Sequence, residues 1–116
     1  MRTLMAQGDP SHYTLPGIDQ LAPDLKRIID EALFGQIWTR PGIDRRTRSF
    51  MTLAMLAALN RPHEIAVHVR GTLNNGLSRD EIKEIFLHVL PYCGAPAAID
   101  GTAIAKQVFA EIVSES

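Results

Sequence analysis

The residues of this chain best equipped for proton chemistry fall in one short stretch, RPHEIAVHVRGTLNNG at residues 61–76, which holds His63, Glu64 and His68. A zinc-protease helix spaces its two histidines four apart, roughly 40° around the axis, so both reach one ion. Here the spacing is five. His63 and His68 therefore point about 140° apart, and one helix cannot offer both to a metal. Glu64 and His68, one turn apart, do share a face. A carboxylate beside an imidazole can fix its tautomer and move its pKa, as a proton-transfer residue needs. The same pair on an exposed helix is an ordinary contact worth ~0.3 kcal/mol. Two convergent donors are too few for a metal without ligands from elsewhere, so no metal is expected.

A second cluster, RPGIDRRTRS at residues 40–49, gathers Arg40, Arg45, Arg46 and Arg48 at the start of an apolar helix. Cations there oppose the positive end of the helix dipole and call for a compensating anion. Either acidic side chains such as Asp30, Glu31 or those of a subunit partner supply it, or the site takes a carboxylate through guanidinium forks and free backbone N–H groups. Arg48, nearest the apolar run, is the leading candidate, with Arg45 and Arg46 as helpers. The stretch FLHVLPYCGAP at residues 86–96 adds His88, one turn after Glu84, and then Tyr92 and Cys93 beyond Pro91. A helix broken at Pro91 would turn a phenol and a thiol toward a pocket. A solvated His88 and a packed Cys93 are the plainer readings. The glycines fit neither a dinucleotide nor a phosphate loop, and there is no serine-nucleophile motif.

The elements that must position these groups read as helices. A chain of 116 residues is one domain, small enough that burying a further face in an oligomer would help it. Twelve basic and thirteen acidic residues give a formal net charge of -1, so no global field recruits nucleic acid or an anionic membrane. A single cysteine, Cys93, excludes an intrachain disulfide and a CxxC pair and fits a reducing cytoplasm. No secretion signal is visible, and the apolar run at 50–59 is too short to span a bilayer. Residues 1–19, with Gly8, Pro10, Pro16 and Gly17, lack periodicity and read as an irregular arm before a domain over 20–116. From there the three/four spacing of apolar residues predicts five helices. The first runs from Pro23 to Trp38. The second is capped by Asp44 and so apolar from Phe50 to Leu59 that it should be buried all round. The third begins at Pro62 and ends in Asn74-Asn75-Gly76, with Ile65, Ala66, Val69 and Leu73 inward and His68 at the boundary. The fourth opens on a Ser78–Glu81 capping box and stops at about Leu90, before Pro91. The fifth, Pro96 to Val113, carries a ridge of Ala97, Gly101 and Ala105 that lets another helix approach closely. The fold class is all-α.

Three stretches, IWTRPGIDRRTRSFMTLAMLAALNR, HEIAVHVRGTLNNGLSRDEIKEIFLHV and YCGAPAA, resemble the carboxymuconolactone decarboxylase family over about residues 20–113. The same superfamily includes alkylhydroperoxidase D-like proteins with a CxxCxxxH helix and an upstream glutamate. Laid on that pattern, His68 is retained, Arg61 and Glu64 stand where the cysteines would be, and Ser49 replaces the glutamate, so thiol peroxidase chemistry is excluded by residue type. The resemblance implies a single-domain helical bundle of the alkylhydroperoxidase D-like type. It further implies decarboxylation, without a cofactor, of a γ-carboxylated butenolide, a small anionic lactone or carboxylate substrate, and a homo-oligomer, trimer or hexamer, with pockets near subunit contacts. The alternatives are a relative recruited to another small lactone or oxoacid, as a cyclase, isomerase or lactone-opening enzyme, and a non-catalytic helical binding module. In that setting His68, oriented by Glu64, would donate a proton or hydrogen-bond an oxyanion. Arg48, with Arg45 or Arg46, would hold a carboxylate, and His88 and Tyr92 are candidates for the remaining substrate contact. Ile99, Asp100 and the GTAIA run depart from the family's usual sequence after YCG, and Pro91 is unusual, which bears on the substrate more than on the fold.

Overall fold

The computed structural model describes residues 22–115. The arm expected over residues 1–19 lies outside that range. Among the described residues the architecture is all helical. The first helix, α1, starts at Pro23, whose missing N–H costs nothing in a first turn, and runs as an α-helix over Pro23–Ile28. It continues without a break as a π-helical segment over Ile29–Ile37, where Trp38 N–H donates to the carbonyl of Leu33, five residues back, at 3.0 Å. An ordinary α-helix was expected here, and apolar spacing does not distinguish the two. The consequence is local. Phe34 and Trp38, 1% and 5% exposed, pack with Ile29 and Leu33 and against Val67 of the third helix.

Helix α2, Arg45–Ala58, begins where the Asp44 carboxylate accepts the Thr47 N–H at 2.7 Å. That bond holds the Asp44 carboxyl below the usual aspartate range. Helix α3, Pro62–Asn74, closes through Gly76 at φ +95°, a backbone that glycine adopts without cost. Helix α4, Arg79–Cys93, has the expected capping box: Glu81 N–H donates to Ser78 Oγ at 3.0 Å and Ser78 N–H to Glu81 Oε1 at 2.9 Å. The helix does not stop at Leu90. Pro91 deletes only its own bond to the carbonyl of Leu87, a residue 57% exposed where water can take over, so the chain stays helical to Cys93 and ends at Gly94 with φ +95°. Helix α5 covers Ala95–Glu115. None of the described helices is long and apolar enough to cross a membrane.

The core forms where α2, α3, α4 and α5 meet, around Leu53, Ile65, Val69, Ile82, Phe86 and Val108. Helix α2 touches the other three and is central, as its composition implied. It is not buried all round. Met51, Met55 and Leu59 are 43%, 57% and 63% exposed, so this apolar helix has one face that a single chain leaves in water. Outside the core, Arg70 of α3 donates to Glu115 at 2.8 Å and to Glu111 at 3.4 Å, clamping the end of α5.

The small-residue ridge of α5 works as expected. Gly101 lies against the Phe86 ring so closely that a Cβ there would overlap it, and the ring, 1% exposed, is enclosed. Alanine at 101 gains ~1 kcal/mol of helix propensity, but overpacking a closed core costs ~1–3 kcal/mol. Gly101→Ala is therefore expected to lower the urea midpoint by the equivalent of about 1 kcal/mol, with Phe86→Leu recovering part of it in the double variant. Unchanged midpoints would disprove the close contact.

Candidate active site

His68 lies in mid-α3, and the structure buries it deeper than the boundary position expected from the helical wheel: it is 4% exposed. A wheel of α3 alone contains no information about what packs on it from outside; at the residue before His68, Val67 meets Phe34 and Trp38 of the π-helical segment. Burial pushes the His68 pKa down to about 4, because an imidazolium loses its hydration in a dry setting. At neutral pH the ring is uncharged.

Glu64 is half-buried one turn earlier. Among the described residues it makes no hydrogen bond to His68, and desolvation is the cause of the His68 shift. The carboxylate–imidazole contact expected from the spacing is thus not formed in the single chain. Asn75 Nδ2, just beyond the end of α3, donates to Ser49 Oγ at 3.1 Å, and Ser49 is fully buried. This bond ties the end of α3 to the first turns of α2, which carry Arg48. Reading charge and motif passed over Ser49 and Asn75 as positioning groups; the one available signal was Asn75 lying on the same face as His68.

The arginines separate by environment. Arg46 places its guanidinium fork on Glu81, with Nη2–Oε2 at 2.5 Å and Nη1–Oε1 at 3.2 Å, and lies 5.8 Å from the centre of the Phe50 ring. Its partner is Glu81 rather than Asp30 or Glu31, and its bidentate capacity is already used, which argues against Arg46 as a substrate contact. Arg45 is half-buried, and that burial lowers its pKa from the usual guanidinium value. Arg48 donates one weak bond, Nη2 to the Arg40 carbonyl at 3.4 Å, while its Nε is buried without a hydrogen-bond partner. An unsatisfied buried donor on a cation costs ~1–3 kcal/mol and is the group an incoming carboxylate would satisfy.

His88 and Tyr92 are brought together, ring centroids 5.2 Å apart at 48°, but on the outside of α4, with Tyr92 78% exposed. They do not turn into a pocket, because Pro91 leaves the helix unbroken. The main concavities between the described helices are lined by other residues than His68 and Arg48. One, of about 450 Å³, lies between α3 and the end of α5 at Val67, Gly71 and Ile112. Another, of about 740 Å³, runs between α4 and α5. Among the described residues no three His, Cys, Asp or Glu side chains gather to hold a metal ion.

Comparison with known proteins follows the same lines. The model of the carboxymuconolactone decarboxylase family matches residues 23–107. The chain is 37% identical over 99 residues to a 4-carboxymuconolactone decarboxylase of Acinetobacter baylyi, an alignment covering 85% of this chain and 74% of the relative. It is 34% identical over 103 residues to a nitrosuccinic acid decarboxylase of Metarhizium robertsii, covering 89% of this chain and, just under two thirds, 66% of that relative. An uncharacterized 15.0 kDa protein of Paracoccus denitrificans is 29% identical over 103 residues, covering 86% and 76%. With the helical bundle, the buried His68 and a family match over most of its length, the chain belongs to the carboxymuconolactone decarboxylase family.

Proposed function

We propose that this protein is a cofactor-independent carboxy-lyase acting on a γ-carboxylated butenolide such as 4-carboxymuconolactone, giving an enol-lactone in aromatic catabolism, as a cytoplasmic homo-oligomer. The reading is carried by the 37% identity to the Acinetobacter enzyme across 85% of this chain. The chemistry explains what the residues would have to do. Breaking the bond between ring carbon and carboxylate releases CO2 and leaves its electron pair delocalised through the double bond onto the lactone carbonyl oxygen. A proton then adds at the ring carbon next to the lactone carbonyl, which leaves the double bond at the carbon that lost CO2 and gives the enol-lactone. The barrier is the developing oxyanion, and an enzyme lowers it with fixed donors in a dry site.

A neutral, buried His68 fits that donor role. Its N–H bonds the oxyanion without the cost of removing water at the moment of reaction. Arg48, with Arg45 nearby, holds a carboxylate of the substrate, while His88 and Tyr92, exposed on the outer side of α4, have no part in this reading. A second reading has a specific support in the 34% identity to the nitrosuccinic acid decarboxylase. Nitrosuccinate is an open-chain dicarboxylate whose nitro group can accept the electron pair of the departing CO2. Both substrates thus pair an electron sink with two anionic groups, and the same donor and cation serve either. CO2 release from each compound, measured side by side, decides between them.

Loss of the oxyanion donor in His68→Ala is expected to reduce kcat about 10²- to 10³-fold, followed as lactone absorbance and CO2. Undiminished turnover removes His68 from the mechanism. Arg48→Ala is expected to raise KM at least about tenfold, with a smaller effect on kcat, as loss of ground-state binding requires. Constants equal to the parent's would remove the anion contact.

His68 also sets an acid limb of stability. Its folded pKa of about 4 lies below the ~6.5 of an unfolded histidine, so between these values the unfolded chain binds more protons. The stability that neutral burial contributes is fully present above about pH 6.5 and is lost as the pH falls through about 4, by up to ~3 kcal/mol. Urea midpoints are expected to fall between pH 7 and 4.5 in the parent and to fall less in His68→Gln. Parallel declines in the two proteins would contradict a buried neutral imidazole.

A further inference from the structure

Two apolar features of this chain are left uncovered, and they have opposite shapes. One is a ridge. Met51, Met55 and Leu59 follow one another at four-residue intervals along α2, each 43–63% exposed, with Arg48 one turn before Met51 on the same side. The other is a groove of about 740 Å³ between α4 and α5, floored by Phe86 and walled by Leu87 and Leu90 on one side and by Ala98 and Ile99 on the other. Alanines along α5 leave room there for a helix to approach. We infer that the α2 ridge of one chain seats in the α4–α5 groove of a second copy, a head-to-tail contact that repeats from chain to chain.

Three features of the two surfaces support this occupant. Their lengths agree: Met51 to Leu59 spans about 12 Å of helix, and Lys83 to Leu90 about 10 Å. Neither patch can cover its own copy well, since groove on groove leaves a void and ridge on ridge leaves both flanks wet, whereas ridge in groove packs as helices do. The areas are also of the right order. Met51, Met55, Leu59, Leu87, Leu90 and Ile99 expose on the order of 600 Å² between them, about half of what a specific interface buries in total, the remainder being its polar rim.

Lys83, Glu84 and Lys106 line one end of the groove, with Lys83 paired to Asp80 at 3.6 Å, and because α4 and α5 run in opposite senses, Leu90 and Ala95 line the other. The charges at the first end offset one another, so either end can receive Arg48. A head-to-tail contact of this kind closes a ring when its rotation allows. The inference rests on self-association as proposed above and is independent of the substrate.

The test is the mass in solution, by light scattering on a sizing column, of the parent, Met55→Glu, Leu90→Glu and an equimolar mixture of the two variants. Both positions are exposed in the single chain, and circular dichroism checks that each variant is folded. The parent is expected as an oligomer and each variant at a lower mass. The mixture should form a species twice the variant mass and no larger, because an intact ridge on one variant meets an intact groove on the other. A monomeric parent would overturn self-association itself. An oligomeric parent whose variants keep its mass would place the interface elsewhere, as would a groove occupied by another segment of the same chain. Variants that dissociate but do not recombine would mean two separate symmetric contacts and would overturn the ridge-in-groove pairing alone.

Discussion

Burial of one imidazole in mid-α3 is the constraint on which the candidate site depends. An exposed histidine at this point of α3 would titrate near neutrality and carry a hydration shell. At 4% exposure His68 is instead held uncharged. Burial thus determines what His68 can do, because a neutral ring offers an N–H to an oxyanion while an imidazolium would offer a proton.

The rest of the bundle can be understood as the support for that arrangement. Gly101 lets α5 settle onto Phe86 of α4, which lets α4 and α5 close on the buried half of α2. The Arg46–Glu81 ion pair joins the N-terminal ends of α2 and α4, and the Asn75–Ser49 bond joins the end of α3 to α2. The two contacts differ in kind. The ion pair is partly exposed, so solvent and salt weaken it and its value is mainly geometric, whereas Ser49 is fully buried and its hydroxyl must find a partner.

Helix positions and caps were legible in the residues because they depend on local chemistry. Pro23, Asp44, Pro62, Ser78 with Glu81, and Gly76 each mark an end that the structure has within a residue or so. What escaped depends on neighbours. Pro91 reads as a stop, yet the helix continues to Cys93, since a proline removes only its own N–H bond. His68 reads as a boundary residue on the wheel of α3, and packing from outside that helix makes it a core residue. Glu64 reads as its partner, but spacing fixes which residues share a face and not which way a side chain turns. The family was legible from residue order across three helices, a longer-range pattern than any single spacing.

The arginine cluster shows how a local conflict can point to a site. Four cations stand around the positive end of the α2 dipole, an arrangement that destabilises a helix unless anions meet it. The chain answers part of this with its own groups: Asp44 caps the first turn and Glu81 takes the fork of Arg46. Arg48 is not answered in the same way, since its Nε is buried with no hydrogen-bond partner and its one bond is a long contact to a carbonyl. It also stands at the head of the exposed face of α2. Arg48 and His68 thus carry two local costs of the bundle, a cation held where the α2 dipole opposes it and an imidazole held neutral by burial at a cost in acid stability.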